Sequence, residues 1–283
     1  MKPNPFWKTI RAFPLYLFVI GGALLSVYPF IFMVLSSFKS TTEIYKIPPT
    51  LFPENFRTDT YPRLFTEMEF GRWFFNSLLI AILTTVGVLF FTSLAGYGFA
   101  KHRFPGRNAM FVTLMGSSMI PFSLILIPLF LWINKMHWID SYAAIIIPFL
   151  APAGGIFLMR QFMAAIPNEL IEAARIDGAS EFRIYWQVIL PNLGPALGTQ
   201  GTFTFLGAWN SFLWPFIVLS SREKFTLPMG LRLLSVNAAS SSTIADMGIV
   251  MAGAAAVAIP AIIFFLFVQR QFVKGLLQGA VKQ

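Results

Sequence analysis

Ile166-Pro-Asn-Glu-Leu-Ile-Glu-Ala-Ala-Arg-Ile-Asp-Gly-Ala-Ser180, running on to Val188-Ile-Leu-Pro191, is a long polar segment set between apolar runs of membrane-spanning length. Pro167 and Asn168 mark a helix start, with Asn168 as the expected N-cap. Glu169 and Glu172 fall in the first turns, where carboxylates complement the helix dipole. Gly178 supplies a residue able to turn left-handed after Asp177, and Ser180 can cap a second short helix running to Gln187. The expected shape is two short helices bent about a glycine, forming a knob outside the membrane. Such a knob calls for something to push against.

Composition places the rest of the chain in a membrane. Of 283 residues, 56% are hydrophobic, 16% aromatic and 12% charged, with a mean hydropathy of +0.68. Soluble domains carry about 25% charged residues. The net charge of +9 and pI near 10.0 do not indicate a nucleic-acid binder, because the cations sit at the ends of apolar runs rather than in one patch. Cysteine is absent, which excludes disulfides and thiolate chemistry. The two histidines, His102 and His137, lie far apart beside basic or aromatic neighbours, so no metal site is expected.

Six apolar stretches are read as spans: 13–35, 73–100, 109–134, 142–163, 190–219 and 248–268. Lys2, Lys8 and Arg11 before the first give it the charge order of a signal peptide. It is longer than a signal core and lacks a small-x-small cleavage site before Ser36, so it is read as a retained helix. Small residues Gly87, Ser93, Ala95, Gly96 and Gly98 in the second permit close helix packing. Pro121 and Pro128 interrupt the third. The segment 38–72 is expected to be an irregular external loop with one interfacial helix, 220–247 a polar external segment rich in serine, and 164–187 the knob. Six spans put both termini on one side. That side carries twelve Lys and Arg residues, against nine spread over longer loops on the other, which places termini and knob in the cytoplasm. The whole chain, 1–283, is expected to be one transmembrane domain.

The spans hold almost no ionisable group. Ion-coupled carriers keep charges at membrane depth to bind the coupling ion, whereas the interior here offers Asn76, Gln200, Asn210 and hydroxyls. No lysine follows a glycine, so a phosphate-binding P-loop is excluded. Glu169, Glu172, Asp177 and Glu181 alternate with Arg175 and Arg183, a solvated face with pairing such as Glu172–Arg175 rather than a catalytic set. Energy for transport would have to enter from a partner, and the knob is the evident contact. Aromatics with amides are the groups that hold sugars, which makes Phe205, Trp209 and Asn210 in the fifth span the candidate substrate path.

Glu172-Ala173-Ala174, Gly178 four residues after Ala174, and Val188-Ile189-Leu190-Pro191 resemble the EAA loop of binding-protein-dependent ABC importer permeases. The family pattern is E-A-A, three residues, G, nine residues, I-x-L-P, and only Val188 departs from it. Ser37-Phe38-Lys39 with Pro48-Pro49-Thr50, Asn76-Ser77, Ala95-Gly96-Tyr97-Gly98-Phe99-Ala100, Trp209-Asn210 and Gly275-Leu276 resemble the carbohydrate branch, in particular the shorter, second permease of the maltose importer.

The resemblance implies an all-α integral membrane protein of the type I (MetI-like) fold with a coupling helix between the fourth and fifth spans. It implies an inner-membrane, non-catalytic pore subunit for a di- or oligosaccharide or glycoside, paired with a second homologous permease. Two ATPase subunits holding ATP and magnesium and an extracytoplasmic solute-binding protein would complete the assembly. The coupling residues would be Glu172, Ala173, Ala174, Asp177, Gly178 and Pro191. The same fold moving a non-sugar solute, or a self-sufficient facilitator, is the alternative. The tail 273–283 would reach between the ATPases or rest on anionic lipid.

Overall fold

The computed structural model describes residues 5–240 and 246–280, with side chains over 14–236 and 246–266. Among the described residues there is no strand. In chain order the helices are α1 (Pro5–Ser36), α2 (Thr41–Ile44), α3 (Thr60–Thr66), α4 (Phe70–Lys101), α5 (Arg107–Ser117), α6 (Phe122–Lys135), α7 (Tyr142–Ile146) and α8 (Ala153–Ala164). They continue as α9 (Asn168–Ile176), α10 (Glu181–Ile184), α11 (Leu190–Asn192), α12 (Gly194–Trp209), α13 (Leu213–Val218), α14 (Leu227–Ser240) and α15 (Met247–Ala280).

All six expected spans are helical, but among the described residues three contain an unbroken helix long and apolar enough to cross a membrane: Pro14–Ser36, Phe70–Lys101 and Met247–Leu266. The expected third span is α5 and α6, bent by 100°. Pro121, at φ −58° and ψ 139°, is extended and α6 starts after it, so the chain leaves one axis and begins another. Pro128 lies inside α6 without ending it. The expected fourth span bends by 43° between Tyr142–Phe149 and Ala153–Ala164, at Pro152. The expected fifth, 190–219, is three helices, α11, α12 and α13, because α11 ends at Asn192, α12 ends at Trp209 and α13 restarts at Leu213.

The chain forms two compact units. One consists of Met1–Phe70 with Leu231–Ala258. Here the segment 38–72, expected to be irregular, is ordered by a buried polar network. Lys39 is 1% exposed; its ammonium donates to the Thr50 carbonyl and Oγ1 and lies 5.3 Å from the Phe32 ring centre. Buried Glu43 accepts from the Thr50 hydroxyl at 3.2 Å and the Glu54 N–H at 2.8 Å. Asp246 caps α15 through the Gly248 N–H and receives Arg57 at 2.6 Å and Arg63 at 3.4 Å. Burying a charge is costly unless it is compensated: Lys39 and Glu43 are met by hydrogen bonds and, for Lys39, an aromatic face, whereas Asp246 has two arginine ion pairs. The most apolar window of α1 has no buried residue within the chain, so lipid or another subunit must cover it.

The other unit is Gly71–Gly230 with Ile259–Gln283. The small residues of α4 do allow close approach. A Cβ on Gly96 would lie 2.7 Å from the Met159 Cβ and 3.0 Å from the Arg160 nitrogen, and one on Gly155 would lie 2.9 Å from Thr92 Cγ2. Helices α4 and α8 therefore cross backbone to backbone. At the far end of α4, Trp73 Nε1 donates to the Arg222 carbonyl, the Asn76 amide to those of Glu223 and Phe225, and Ser77 Oγ accepts the Leu227 N–H. These bonds begin α14, a helix inside the segment expected to be merely polar. Asp140 receives the N–H groups of Ser220 and Ser221, the Ser221 hydroxyl and the Lys224 ammonium. Together they pull its carboxyl well below the ordinary range, against the opposing effect of burial.

Candidate functional site: the bent helix pair between α8 and α12

Helix α9 begins differently from the sequence expectation. Pro167, extended at φ −57° and ψ 138°, occupies the N-cap position, and Asn168 is the first helical residue. The Asn168 side chain instead accepts from Lys101 Nζ at 2.9 Å, and the same ammonium takes the Ile166 carbonyl at 2.5 Å. Lys101 at the end of α4 thus pins the entrance to α9.

The exit follows the Schellman pattern. Asp177 is the C-cap, Gly178 turns at φ +79°, the Gly178 N–H returns to Arg175 O at 3.0 Å and the Ala179 N–H to Ala174 O at 2.9 Å. Only glycine adopts that backbone without cost. Ser180 then caps α10 by accepting the Arg183 N–H at 3.4 Å. The second helix does not stop at Gln187. It opens into a π-helical turn over Tyr185–Ile189, with the Leu190 N–H reaching back to Tyr185 O, and runs directly into α11. Pro191 has no N–H for the carbonyl four residues earlier, and the widened turn precedes it. The Asn192 side-chain amide supplies a donor to Val188 O at 2.7 Å.

Burial divides the pair into two faces. Ile171, Ile184, Tyr185 and Ile189 sink into a core with Tyr97, Met159, Met163, Leu193 and Ala196, and Ala174, Ala179 and Val188 pack against it. Glu172, Ala173, Asp177, Gly178 and Pro191 are exposed. The paired alanines therefore divide their work: Ala173 leaves the outer face low, while Ala174 faces the core. The outer surface also exposes Ile176 (86%), Phe182 (61%), Leu170 (48%) and Trp186 (44%). An apolar patch of this kind on a polar segment marks a contact surface.

Glu181 ties the pair to α4. Its carboxylate receives Arg175 Nε at 2.8 Å and the Tyr97 hydroxyl at 2.9 Å, with His102 Nε2 at 3.5 Å. The expected Glu172–Arg175 pairing gives way to this one. Arg175 foremost, then Tyr97, hold the Glu181 carboxyl below its ordinary range, against partial burial. One turn deeper, the Ser93 and Tyr185 hydroxyls are 2.7 Å apart. Ser93, Tyr97 and Lys101, spaced by four along α4, thus each hold a different point of the bent pair. That polar stripe in an apolar span was visible in the sequence, but its partners lie 65 to 92 positions away.

The proposed substrate-path residues are not brought together at a free surface. Trp209 is fully buried, with Phe74 and Phe205 rings at 5.6 and 6.0 Å, and Phe205 stacks on Phe264 at 4.2 Å. Asn210 is exposed, and its amide closes α12 by donating to Leu206 O. Thr204 and Gly207 of α12 and Ser211 just after it line a cavity of about 480 Å³ with Thr84, Phe149 and Trp214.

Residues 89–278 match the family model described as "Binding-protein-dependent transport system inner membrane component". The chain is 38% identical to the arabinooligosaccharides transport system permease protein AraQ of Bacillus subtilis (strain 168), covering 100% of this chain and 99% of that one. It is 34% identical to the lactose transport system permease protein LacG of Rhizobium radiobacter over 92% and 93% of the two chains. Its structure is similar, with a TM-score of 0.81 and 26% identity over 95% and 98% of the chains, to a chain of a bacterial ABC transporter involved in the import of the acidic polysaccharide alginate. By the family match and by full-length relatives above 30% identity, the chain belongs to the inner-membrane components of binding-protein-dependent transport systems.

Proposed function

We propose that this chain is the shorter pore-forming permease of an ATP-driven importer for a di- or oligosaccharide or glycoside, acting as one transmembrane domain with both termini in the cytoplasm. The observation that carries the reading is the bent pair α9–α10: a glycine-turned knob, locked to α4 by Lys101 and Glu181, presenting an apolar outer face. Such a knob transmits a push to α4 and α12 instead of absorbing it. Glu172, Ala173, Asp177 and Gly178 form the surface offered to an ATPase subunit, Ala174 seats that surface on the core, and Pro191 carries its displacement toward α12.

ATP and magnesium belong to two ATPase partners. An extracytoplasmic binding protein delivers the solute, and a second homologous permease completes the pore. That permease and membrane lipid cover the exposed length of α1. The relatives named for arabinooligosaccharides and lactose support the sugar class.

The test is reconstitution. The assembled complex in proteoliposomes is expected to take up labelled oligosaccharide only with ATP and binding protein, and this chain alone to move none. Conduction by the chain alone would establish a facilitator and overturn the reading.

A further inference from the structure

The connection from α4 to α5 carries Lys101, Arg103 and Arg107 and no acid. With α9 it encloses a depression of about 590 Å³ lined by Lys101, His102, Arg103, Arg107, Glu172 and Arg175. Arg103 and Arg107 also face a second depression of about 280 Å³, together with Phe104 and the start of α5.

Two of the cations around the larger space are already answered. Arg175 is paired with Glu181, and Lys101 donates to Ile166 O and Asn168 Oδ1 with Glu169 nearby. Arg107 gives one N–H to the His102 carbonyl at 3.1 Å, and among the described residues neither Arg107 nor Arg103 has an ion pair. Two guanidiniums without such a pair therefore stand between two adjoining depressions.

Their position selects the ligand. Helix α4 is a 32-residue apolar helix that ends at Lys101, so the depressions lie where the apolar phase stops. Directly beyond, α5 exposes Met110 (57%) and Val112 (69%), and Phe104 is 37% exposed. A group that suits planar cationic forks on one side and apolar side chains on the other is a phosphodiester carrying acyl chains. A free phosphate has no use for the apolar neighbours and fills little of the space. We propose that Arg103 and Arg107 hold the headgroup phosphate of an anionic phospholipid, with its acyl chains along α5, beside the α9 surface. This assignment goes beyond the transport reading and does not depend on which solute is moved.

The experiment is lipid retention by the full-length chain, and by the assembled transporter, purified in detergent containing dioleoylphosphatidylglycerol or dioleoylphosphatidylcholine. Native mass spectrometry and a fluorescent-lipid titration read occupancy. Phosphatidylglycerol is expected to be retained and phosphatidylcholine not. The double variant R103Q/R107Q is expected to weaken phosphatidylglycerol binding about thirty-fold, from about 1 kcal/mol for each cation at a membrane surface. The pair R103K/R107K, which keeps the charge, is expected to retain most of the binding and to report on folding. R183Q, removing an exposed cation that bonds to Gln187, is expected to change nothing.

Unchanged binding in R103Q/R107Q overturns the proposal, as does an equal loss in R183Q, which would show general attraction to charge. Competition by soluble glycerol phosphate as effective as the lipid would reassign the site to a free phosphate. Loss of the lipid on assembly would give the surface to a protein partner.

Discussion

Replacing Gly178 tests whether the backbone handedness of the turn, rather than the bulk at its surface, is what the knob requires. The structure separates the two. A Cβ built on Gly178 meets no atom within 4 Å, so a substitution brings no clash inside the chain. The whole cost lies in φ +79°, where an L-residue loses about 1–2 kcal/mol, with asparagine the mildest case and β-branched residues the worst.

The turn is held by two backbone bonds, Gly178 to Arg175 and Ala179 to Ala174, each contributing about 0.5–1.5 kcal/mol. A penalty of 1–2 kcal/mol is thus comparable with one of those bonds and shifts the closed turn by about five- to thirty-fold. Gly178→Asn is expected to be close to wild type, Gly178→Ala to be impaired several-fold, and Gly178→Val to lose transport while reaching the membrane in normal amount. The assay is binding-protein-stimulated ATPase activity and sugar uptake by the assembled complex in proteoliposomes, with membrane content measured in parallel. Normal stimulated ATPase activity in the valine variant would refute the reasoning. Equal damage from asparagine and valine would refute the backbone account and assign the effect to side-chain bulk against a partner.

Three further variants test the bonds described. Tyr97→Phe removes the buried end of the Glu181 contact and is expected to cost about 1 kcal/mol in thermal unfolding of the purified chain. Glu181→Gln, losing a half-exposed pair with Arg175, is expected to cost about 1 kcal/mol or less. A double-mutant cycle for these two should show coupling. Asp140→Asn breaks the clamp on Ser220, Ser221 and Lys224 and is expected to lower the melting temperature at pH 7. Because the folded carboxyl titrates below its unfolded value, the clamp contributes fully above the ordinary aspartate range and is lost only on acidification through the lower folded range. The melting difference between variant and wild type should therefore persist from neutral pH to about pH 5 and shrink below about pH 4. A difference constant down to pH 2 would contradict it.

The knob was legible because its determinants are local. Gly178 as the residue free to turn there and Ser180 as a cap each act within four residues, and the structure bears out both. The apolar stretches were legible for the same reason, since hydropathy is summed along the chain.

What failed were the features set by groups distant in sequence. Asn168 was expected to cap α9 and instead accepts from Lys101; Arg175 was expected to pair with Glu172 and instead reaches Glu181, which Tyr97 also holds. Ala173 and Ala174 look equivalent in sequence, and only the packing of α4, α8 and α12 decides which one faces out. The ordered segment around Lys39, Glu43 and Asp246 reads as an irregular loop because its bonds run to carbonyls and to residues some two hundred positions away. Short-range propensity and hydropathy suffice for an all-helical membrane chain with a glycine-turned knob. What that knob is fastened to waits on folding, because the polar stripe on α4 has no partners until the chain has folded back on it.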